Sequence, residues 1–108
     1  MSKKSNVIAD KLGEEEILCQ LSEECAELIQ ACLKYRRATK GLTPKTLDET
    51  KDNIIEELSD VLLNINQLVY LFDKHEDING SMKRIISDIR EKKTDRWYRR
   101  TFITQEEC

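Results

Sequence analysis

Apolar residues recur every three or four positions along the first part of the chain, which is the period of an amphipathic α-helix. The first such stretch predicts a helix over about residues 14–37. Its apolar positions are Leu18, Leu21, Cys25, Leu28, Ile29 and Cys32. Gly41 and Pro44 punctuate the segment that follows, so we expect a loop over residues 38–47.

A second helix is predicted over about residues 48–72, with Asp48 or Thr50 as its N-cap. It is apolar around much of its circumference, at Ile54, Ile55, Leu58, Val61, Leu62, Leu63, Ile65, Leu68, Val69, Leu71 and Phe72. Two partner helices from so short a chain can hardly cover this surface, so we expect part of the helix to pack against another subunit.

A third helix is predicted over about residues 82–99, after a polar connection. Its inward-facing residues are expected to be Met82, Ile85, Ile86 and Ile89. Residues 1–10 and 101–108 are expected to be flexible, outside a core at about 14–100. The prediction is one all-α domain of three main helices, a helical bundle completed by homo-oligomerisation as a homodimer or a dimer of dimers.

Length and charge narrow the functional classes. The 108 residues suffice for one domain, and the net charge of −3 argues against a dedicated nucleic-acid-binding protein. No apolar run reaches the ~18 residues that a membrane-spanning helix needs. Lys3 and Lys4 are not followed by the apolar segment of a secretion signal. We therefore expect a soluble cytoplasmic protein without a membrane partner.

The four cysteines do not form a recognisable metal or disulfide motif. No two of them are spaced as C-x-x-C, and Cys25 and Cys32 lie on the same helical stripe as the leucines. We expect free, buried thiols in a reducing compartment.

Two pairs of carboxylates border the apolar stripes of the first two predicted helices. Glu24 and Glu27 are spaced i and i+3, so they lie on one face of the first helix. Glu57 and Asp60 repeat this spacing on the second helix and share a face with Asn64. Antiparallel packing through these stripes would bring both pairs to one seam.

Four carboxylates in a partly dry seam repel one another, and desolvation adds to the cost. Protons or cations must neutralise them. Hard oxygen ligands favour Mg²⁺, Mn²⁺ or Ca²⁺, and Mg²⁺ commonly completes its shell with substrate phosphate oxygens. The seam therefore indicates phosphate-ester chemistry, while an ordinary solvated helix surface stays open as the alternative.

The order and spacing of these acids resemble a known family signature. The string E-E-C-A-E at 23–27 and the string E-L-S-D at 57–60 resemble the E-E-x-x-E and E-x-x-D motifs of the MazG-type, all-α NTP pyrophosphatases. The segment EELSDVLL at 56–63 is similar to the second motif helix of MazG and dCTP pyrophosphatase relatives.

The resemblance implies an Mg²⁺-dependent nucleotide pyrophosphatase, with Mn²⁺ as a possible substitute. Such an enzyme cleaves an NTP or dNTP to the monophosphate and pyrophosphate by attack of a metal-activated water at the α-phosphate. The metal ligands it implies are Glu24, Glu27, Glu57 and Asp60, with Glu23 as an accessory catalytic carboxylate. Asn64, one turn after Asp60 on the same seam, is expected to hydrogen-bond the sugar or a phosphate. Relatives often carry basic residues on the last helix, and here Lys93 and Arg96, spaced i and i+3, are the expected phosphate contacts.

Two other classes of helical protein are alternatives to a nucleotide pyrophosphatase. A carboxylate-bridged di-iron bundle needs a Glu-x-x-His pair on two helices, and a chain whose single histidine, His75, lies outside both motifs does not supply them. The other is a non-enzymatic helical interaction module whose basic third helix touches nucleic acid. Two roles stay open for Trp97 and Tyr98 in that helix: stacking on a nucleobase or capping the core.

Overall fold

The computed structural model describes residues 3–75 and 81–103, and every regular element within these ranges is helical. The helices are α1 (Lys3–Leu12), α2 (Glu14–Thr39), α3 (Leu47–His75) and α4 (Met82–Tyr98), followed by a π-helical turn (Arg99–Ile103). The all-α prediction is confirmed, and the three predicted helices correspond to α2, α3 and α4. None of the described helices combines the length and the apolar character that crossing a membrane requires.

Helix α1 forms where the sequence pattern predicted no element. Ala9 is completely buried in a cluster with Ile17 of α2 and Leu71 of α3. The Tyr70 hydroxyl donates a hydrogen bond to Asp10 Oδ2 at 2.8 Å, which ties α3 to α1. A ten-residue helix is marginal in water, so these tertiary contacts, not its own periodicity, stabilise α1. Residues 3–10 and 101–103, whose flexibility was expected, are helical in the structure, and residues 1–2 and 104–108 lie outside the described residues.

Glycines with positive φ separate the first three helices. Gly13, at φ 86°, precedes the first residue of α2. Gly41, at φ 67°, follows the C-cap of α2, where its N–H donates to Ala38 O at 3.1 Å. The Leu42 N–H donates to Arg37 O at 3.0 Å, which completes a Schellman motif. This motif ends α2 and turns the chain towards α3.

The N-cap of α3 is Thr46, and the prediction of Asp48 or Thr50 is wrong. Thr46 Oγ1 accepts a hydrogen bond from the Glu49 N–H at 3.1 Å, which satisfies one of the free amides of the first turn. Thr50 is buried inside the helix, and its hydroxyl donates to Thr46 O and Leu47 O. The helix therefore starts earlier than its apolar pattern, which begins only at Ile54.

Helices α2 and α3 pack antiparallel. Ile17, near the start of α2, shares a cluster with Leu71, near the end of α3. Glu24, further along α2, approaches Glu57 and Asp60, earlier along α3. The buried residues of these helices are few: Ile17 and Ala31 on α2, and Thr50, Val61, Asn64, Gln67, Val69 and Leu71 on α3.

Much of the predicted apolar surface is exposed in the single chain. Leu18 and Ile29 of the first predicted stripe are 41% and 61% exposed, whereas Leu21, Cys25 and Leu28 are half-buried, so this stripe coincides only in part with the core face of α2. Cys19 and Cys32 are exposed and Cys25 is half-buried, so the predicted burial of these thiols is wrong, although all three are free. Cys108 lies outside the described residues.

The chain divides into two compact units, Met1–Leu71 and Phe72–Cys108, each described here by itself. In the second unit Asp73 Oδ1 accepts a hydrogen bond from the Met82 N–H at 2.6 Å. Ser81 caps α4 by accepting one from the Arg84 N–H at 3.2 Å. No described residue of α4 is buried, and Ile89 is 47% exposed, so the predicted inward-facing stripe of this helix is wrong for the single chain.

The cap of α3 gives a direct test of how this helix begins. Thr46→Ala removes the acceptor of the Glu49 amide and is expected to lower the free energy of unfolding by about 1 kcal/mol. Thr46→Ser keeps a hydroxyl acceptor and is expected to preserve most of the free energy of unfolding. Urea unfolding measures both, with Lys45→Ala, a change at an exposed side chain of the same loop, as the control. A Thr46→Ala variant as stable as the parent chain would contradict this assignment.

Candidate metal centre

The helix period places acidic side chains on the core-facing stripes of α2 and α3. Glu24 lies seven residues after Ile17 and seven before Ala31, and both of these are 1% exposed. Glu57 lies seven residues after Thr50 and seven before Asn64, which are also buried. Seven residues are close to two helical turns, so each glutamate occupies a position that is otherwise used for core packing.

Three carboxylates converge between the two helices. One oxygen from each of Glu24, Glu57 and Asp60 lies within 4.8 Å of the other two, and all three residues are half-buried. The convergence expected from the sequence is therefore present for these three acids. Glu27 is exposed, but its carboxyl group acts on both Glu24 and Glu57 by charge and by hydrogen bonding.

The proton affinity of Glu24 reflects this crowding. Its pKa is raised from 4.5 to about 7, first by desolvation and then by repulsion from Glu27, Asp60 and Glu57. Both causes disfavour the charged carboxylate. Glu24 therefore binds a proton at a pH where an ordinary glutamate is ionised.

The Glu57 carboxyl is perturbed in the same direction. Desolvation raises its pKa, and the Glu27 side chain adds a hydrogen bond and a repelling charge. Repulsion from Asp60 and Glu56 contributes further. Desolvation and mutual repulsion thus disfavour the charged form of both Glu24 and Glu57, and a bound cation would reduce that repulsion.

Two oxygens of the cluster have no partner in the described part of the chain. Glu24 Oε2 and Glu57 Oε2 are both shielded from solvent and accept no hydrogen bond. A buried oxygen without a donor is costly, which is the arrangement expected where a cation is the partner. The donor set consists of hard carboxylate oxygens without sulfur or imidazole, so it fits Mg²⁺, Mn²⁺ or Ca²⁺ better than zinc.

Glu23 is placed differently from the other acids of its motif. It is exposed on α2, and its Oε1 accepts a weak hydrogen bond from the Cys19 thiol, with Sγ and Oε1 4.0 Å apart. One residue advances the helix by about 100°, so Glu23 points to a different side from Glu24. Its accessory catalytic role stays a prediction.

Asn64 belongs to a buried polar chain. Its Nδ2 donates to Gln67 Oε1 at 3.0 Å, and Gln67 Nε2 donates to the Ser5 carbonyl of α1 at 3.4 Å. Asn64 is 8% exposed, so the structure gives its amide an internal partner, and its role in substrate binding stays a prediction.

Sequence reasoning missed Gln67. A signal was present, because Glu57, Asp60, Asn64, Gln67 and Leu71 follow one another at steps of three and four, on one face of α3.

Lys93 and Arg96 lie in the second compact unit, on α4. Both side chains are exposed. They line one shallow cavity with Ile89, Lys92 and Arg99, so the two predicted phosphate contacts do share a surface. Their contact with a substrate stays a prediction.

Comparison with known proteins gives one match. The sequence profile described as the MazG nucleotide pyrophosphohydrolase domain matches residues 12–100. No curated protein and no solved structure matches the chain. The matched region covers α2, α3 and α4 and leaves out all of α1 except its last residue.

The raised pKa of Glu24 makes the stability of the metal-free protein depend on pH. The folded chain keeps this proton up to about pH 7, whereas the unfolded chain loses it near the ordinary value of 4.5. Folding then binds protons, so the free energy of unfolding falls as pH rises through this window. We expect urea unfolding in EDTA to occur at higher denaturant at about pH 5 than at about pH 7.5.

Glu24→Gln is neutral at every pH and should reduce this pH dependence. Glu15→Gln, an exposed change in the same helix, is the control and should leave it intact. An unchanged pH dependence in Glu24→Gln would show that the crowded carboxyl is not its source.

Proposed function

We propose, because the chain belongs to the MazG nucleotide pyrophosphohydrolase family, that it hydrolyses a ribo- or deoxyribonucleoside triphosphate to the monophosphate and pyrophosphate. The observation that carries the proposal is the group of three half-buried carboxylates with two unpartnered oxygens. A cation would give these oxygens a partner, and a cation held by carboxylates can also bind phosphate oxygens.

The residues that would hold Mg²⁺, or Mn²⁺ in its place, are Glu24, Glu27, Glu57 and Asp60. When bound, the ion would neutralise the triphosphate, polarise the α-phosphoryl group and lower the pKa of a water molecule. The role of the protein is positioning. Glu24 and Glu57 sit on stripes that also carry core residues, so packing of α2 against α3 fixes the spacing of their carboxylates.

Further residues are assigned by position. Glu23, exposed on the neighbouring side of α2, is proposed as the accessory carboxylate that binds a further ion or orients the attacking water. Asn64 lies one turn after Asp60 and is proposed to hydrogen-bond the sugar or a phosphate. Lys93 and Arg96, exposed at one cavity on α4, are proposed to bind the phosphates, because cations there would balance their charge.

We further propose that the chain is one domain with a core at about residues 14–100, and that it works in the cytoplasm. The family match runs from residue 12 to residue 100 without a break, which supports a single domain.

A homodimer or a dimer of dimers is proposed as the working assembly. Ile55, Leu58, Leu62 and Ile65 of α3 are 39–56% exposed and follow one another at steps of three and four. Such a stripe on the surface of a chain this small is typical of a helix that packs against another helix. A second copy of the chain offers the same stripe for a symmetric contact.

The hydrolysis is tested by incubating a panel of NTPs and dNTPs with the protein and measuring the monophosphate and pyrophosphate. We expect both products with Mg²⁺ or Mn²⁺ and none in excess EDTA. Glu57→Gln removes a charged ligand and should lower turnover by at least about 100-fold, since even indirect partners of a metal are worth 10- to 100-fold. Circular dichroism should show that the helices persist.

Glu56→Gln is the matched control, because this exposed neighbour in α3 changes the same net charge outside the carboxylate group. It should keep most of the activity. Release of orthophosphate in place of pyrophosphate, or full turnover by Glu57→Gln, would contradict the proposal.

The assembly is tested by light scattering at micromolar concentration. The parent chain should give a mass that is two or four times 12.7 kDa. Leu62→Glu, which places a charge in the exposed stripe of α3, should shift the mass towards that of one chain. Leu42→Glu, at a 70% exposed loop residue outside the stripe, is the control and should not. A monomeric parent chain would disprove the proposed contact.

A further inference from the structure

Helix α2 carries opposite charges at its two ends. Its first turn contains Glu14, Glu15 and Glu16, and its last turn contains Arg36 and Arg37. None of these five side chains forms an ion pair within the described part of the chain. Residues 28–47 contain five basic residues and no acidic residue, so the positive charge at the end of the helix is not balanced locally.

One exposed face of α2 connects the acidic end to the basic end. Its residues follow one another at steps of three and four, and at about 100° per residue they fall within an arc of about 80°. They are Glu15, Leu18, Ser22, Ala26, Ile29, Leu33 and Arg36, and all are exposed. The buried Ile17 and Ala31 lie about 160° from the centre of this arc, so this outer face points away from the core.

The middle of the outer face is apolar. Leu18, Ile29 and Leu33 are 41%, 61% and 47% exposed, and no charged residue of the face lies between Leu18 and Leu33. Leu33, Arg36, Arg37 and Lys40 line one cavity of about 230 Å³ at the basic end, so apolar and positive side chains share one surface there. A partner that covers this face would remove its apolar side chains from water.

We propose that the outer face of α2 packs antiparallel against the same face of a second copy of the chain. In this arrangement Glu15 of each copy lies beside Arg36 of the other, so the pairing of opposite charges occurs twice. A parallel arrangement would place acid beside acid and base beside base. The order of charges along α2 therefore specifies both the partner and its direction.

The spacing of the apolar residues agrees with this register. A twofold axis midway between residues 25 and 26 brings Leu18 opposite Leu33, and Ser22 opposite Ile29. A small side chain then faces a large one near the axis, which is how ridges and grooves of packed helices fit together. Exposed ion pairs add little affinity, so burial of the apolar residues supplies the stability and the charges fix the orientation.

The same charge order argues against other partners. A nucleic acid or an anionic membrane is negative throughout, so the acidic end of the outer face would be repelled while the basic end was attracted. The outer face instead matches a surface with the reverse order of charges. An antiparallel copy of the same helix supplies that order without any additional partner.

This contact differs from the other proposals in its residues. It lies on α2, whereas the stripe proposed above as a contact between copies lies on α3, and it involves neither the carboxylate group nor a metal. When both contacts form, four chains assemble as a dimer of dimers. Absence of hydrolysis would leave the α2 contact standing, and absence of the α2 contact would leave hydrolysis standing.

The test measures mass by light scattering at micromolar concentration in chains that carry Leu62→Glu, so that the α3 contact is removed. This chain should have twice the mass of 12.7 kDa. Adding Glu14→Lys with Glu15→Lys makes both ends of the outer face positive, and adding Arg36→Glu with Arg37→Glu instead makes both ends negative. Each of these two variants alone should have the mass of one chain.

Mixing the two variants gives the most specific result. In an equimolar mixture every end of one variant meets the opposite charge on the other, so the mass should return to that of two chains. A variant that had merely misfolded would not recover on mixing, and circular dichroism should show unchanged helix content. In chains without Leu62→Glu each charge variant should halve the mass, which keeps the test valid should Leu62→Glu itself fail to fold.

Matched controls make the same changes of charge away from the outer face. Asp48→Lys with Asp52→Lys changes two exposed acids of α3, and Lys3→Glu with Lys4→Glu changes two exposed bases of α1. Both should keep the mass of two chains in the Leu62→Glu background.

Three results would overturn the proposal. They are a folded Leu62→Glu chain with the mass of one chain, a charge variant of the outer face that keeps the mass of two chains, and a mixture of the two variants that stays at the mass of one chain.

Discussion

Repulsion between carboxylates on the packing faces of α2 and α3 is the constraint on which the site depends. Glu24 and Glu57 occupy positions between buried residues of their helices, so packing of the helices places both of them at the seam. The contacts that pack α2 against α3 therefore also bring like charges close to each other. Protons relieve this repulsion in part, and a divalent cation would relieve it more completely.

The α3 face shows how a charged site is joined to a core. From its N-terminal to its C-terminal end, this face carries two carboxylates, then two amides and then an apolar side chain: Glu57, Asp60, Asn64, Gln67 and Leu71. The amides hydrogen-bond each other and the backbone of α1, so polarity decreases stepwise towards the buried cluster. Helix α1 thus packs against α2 and α3 at the end where Ile17 and Leu71 lie, while the carboxylates remain half-buried further along the two helices. Although it lies almost entirely outside the family match, α1 completes the core of this unit.

Periodicity and motif spacing were sufficient to predict α2, α3, α4 and the meeting of Glu24 with Glu57 and Asp60. They were not sufficient for α1, because a short helix owes its stability to residues far along the chain, such as Leu71 and Tyr70. Periodicity and motif spacing also did not show which residues of α2 and α4 face the core. The leucine-rich stripe of α2 and the isoleucines of α4 have the right spacing for burial, yet burial also requires a partner surface, which the sequence of one helix does not contain.

The most direct test of this metal centre is diffraction from crystals soaked in Mn²⁺, recorded where manganese scatters anomalously. We expect an anomalous peak between the carboxylates of Glu24, Glu57 and Asp60, with the shielded oxygens of both glutamates turned towards the ion. Carboxylates that spread into solvent, with no peak between them, would contradict it and leave an all-α scaffold without a metal centre.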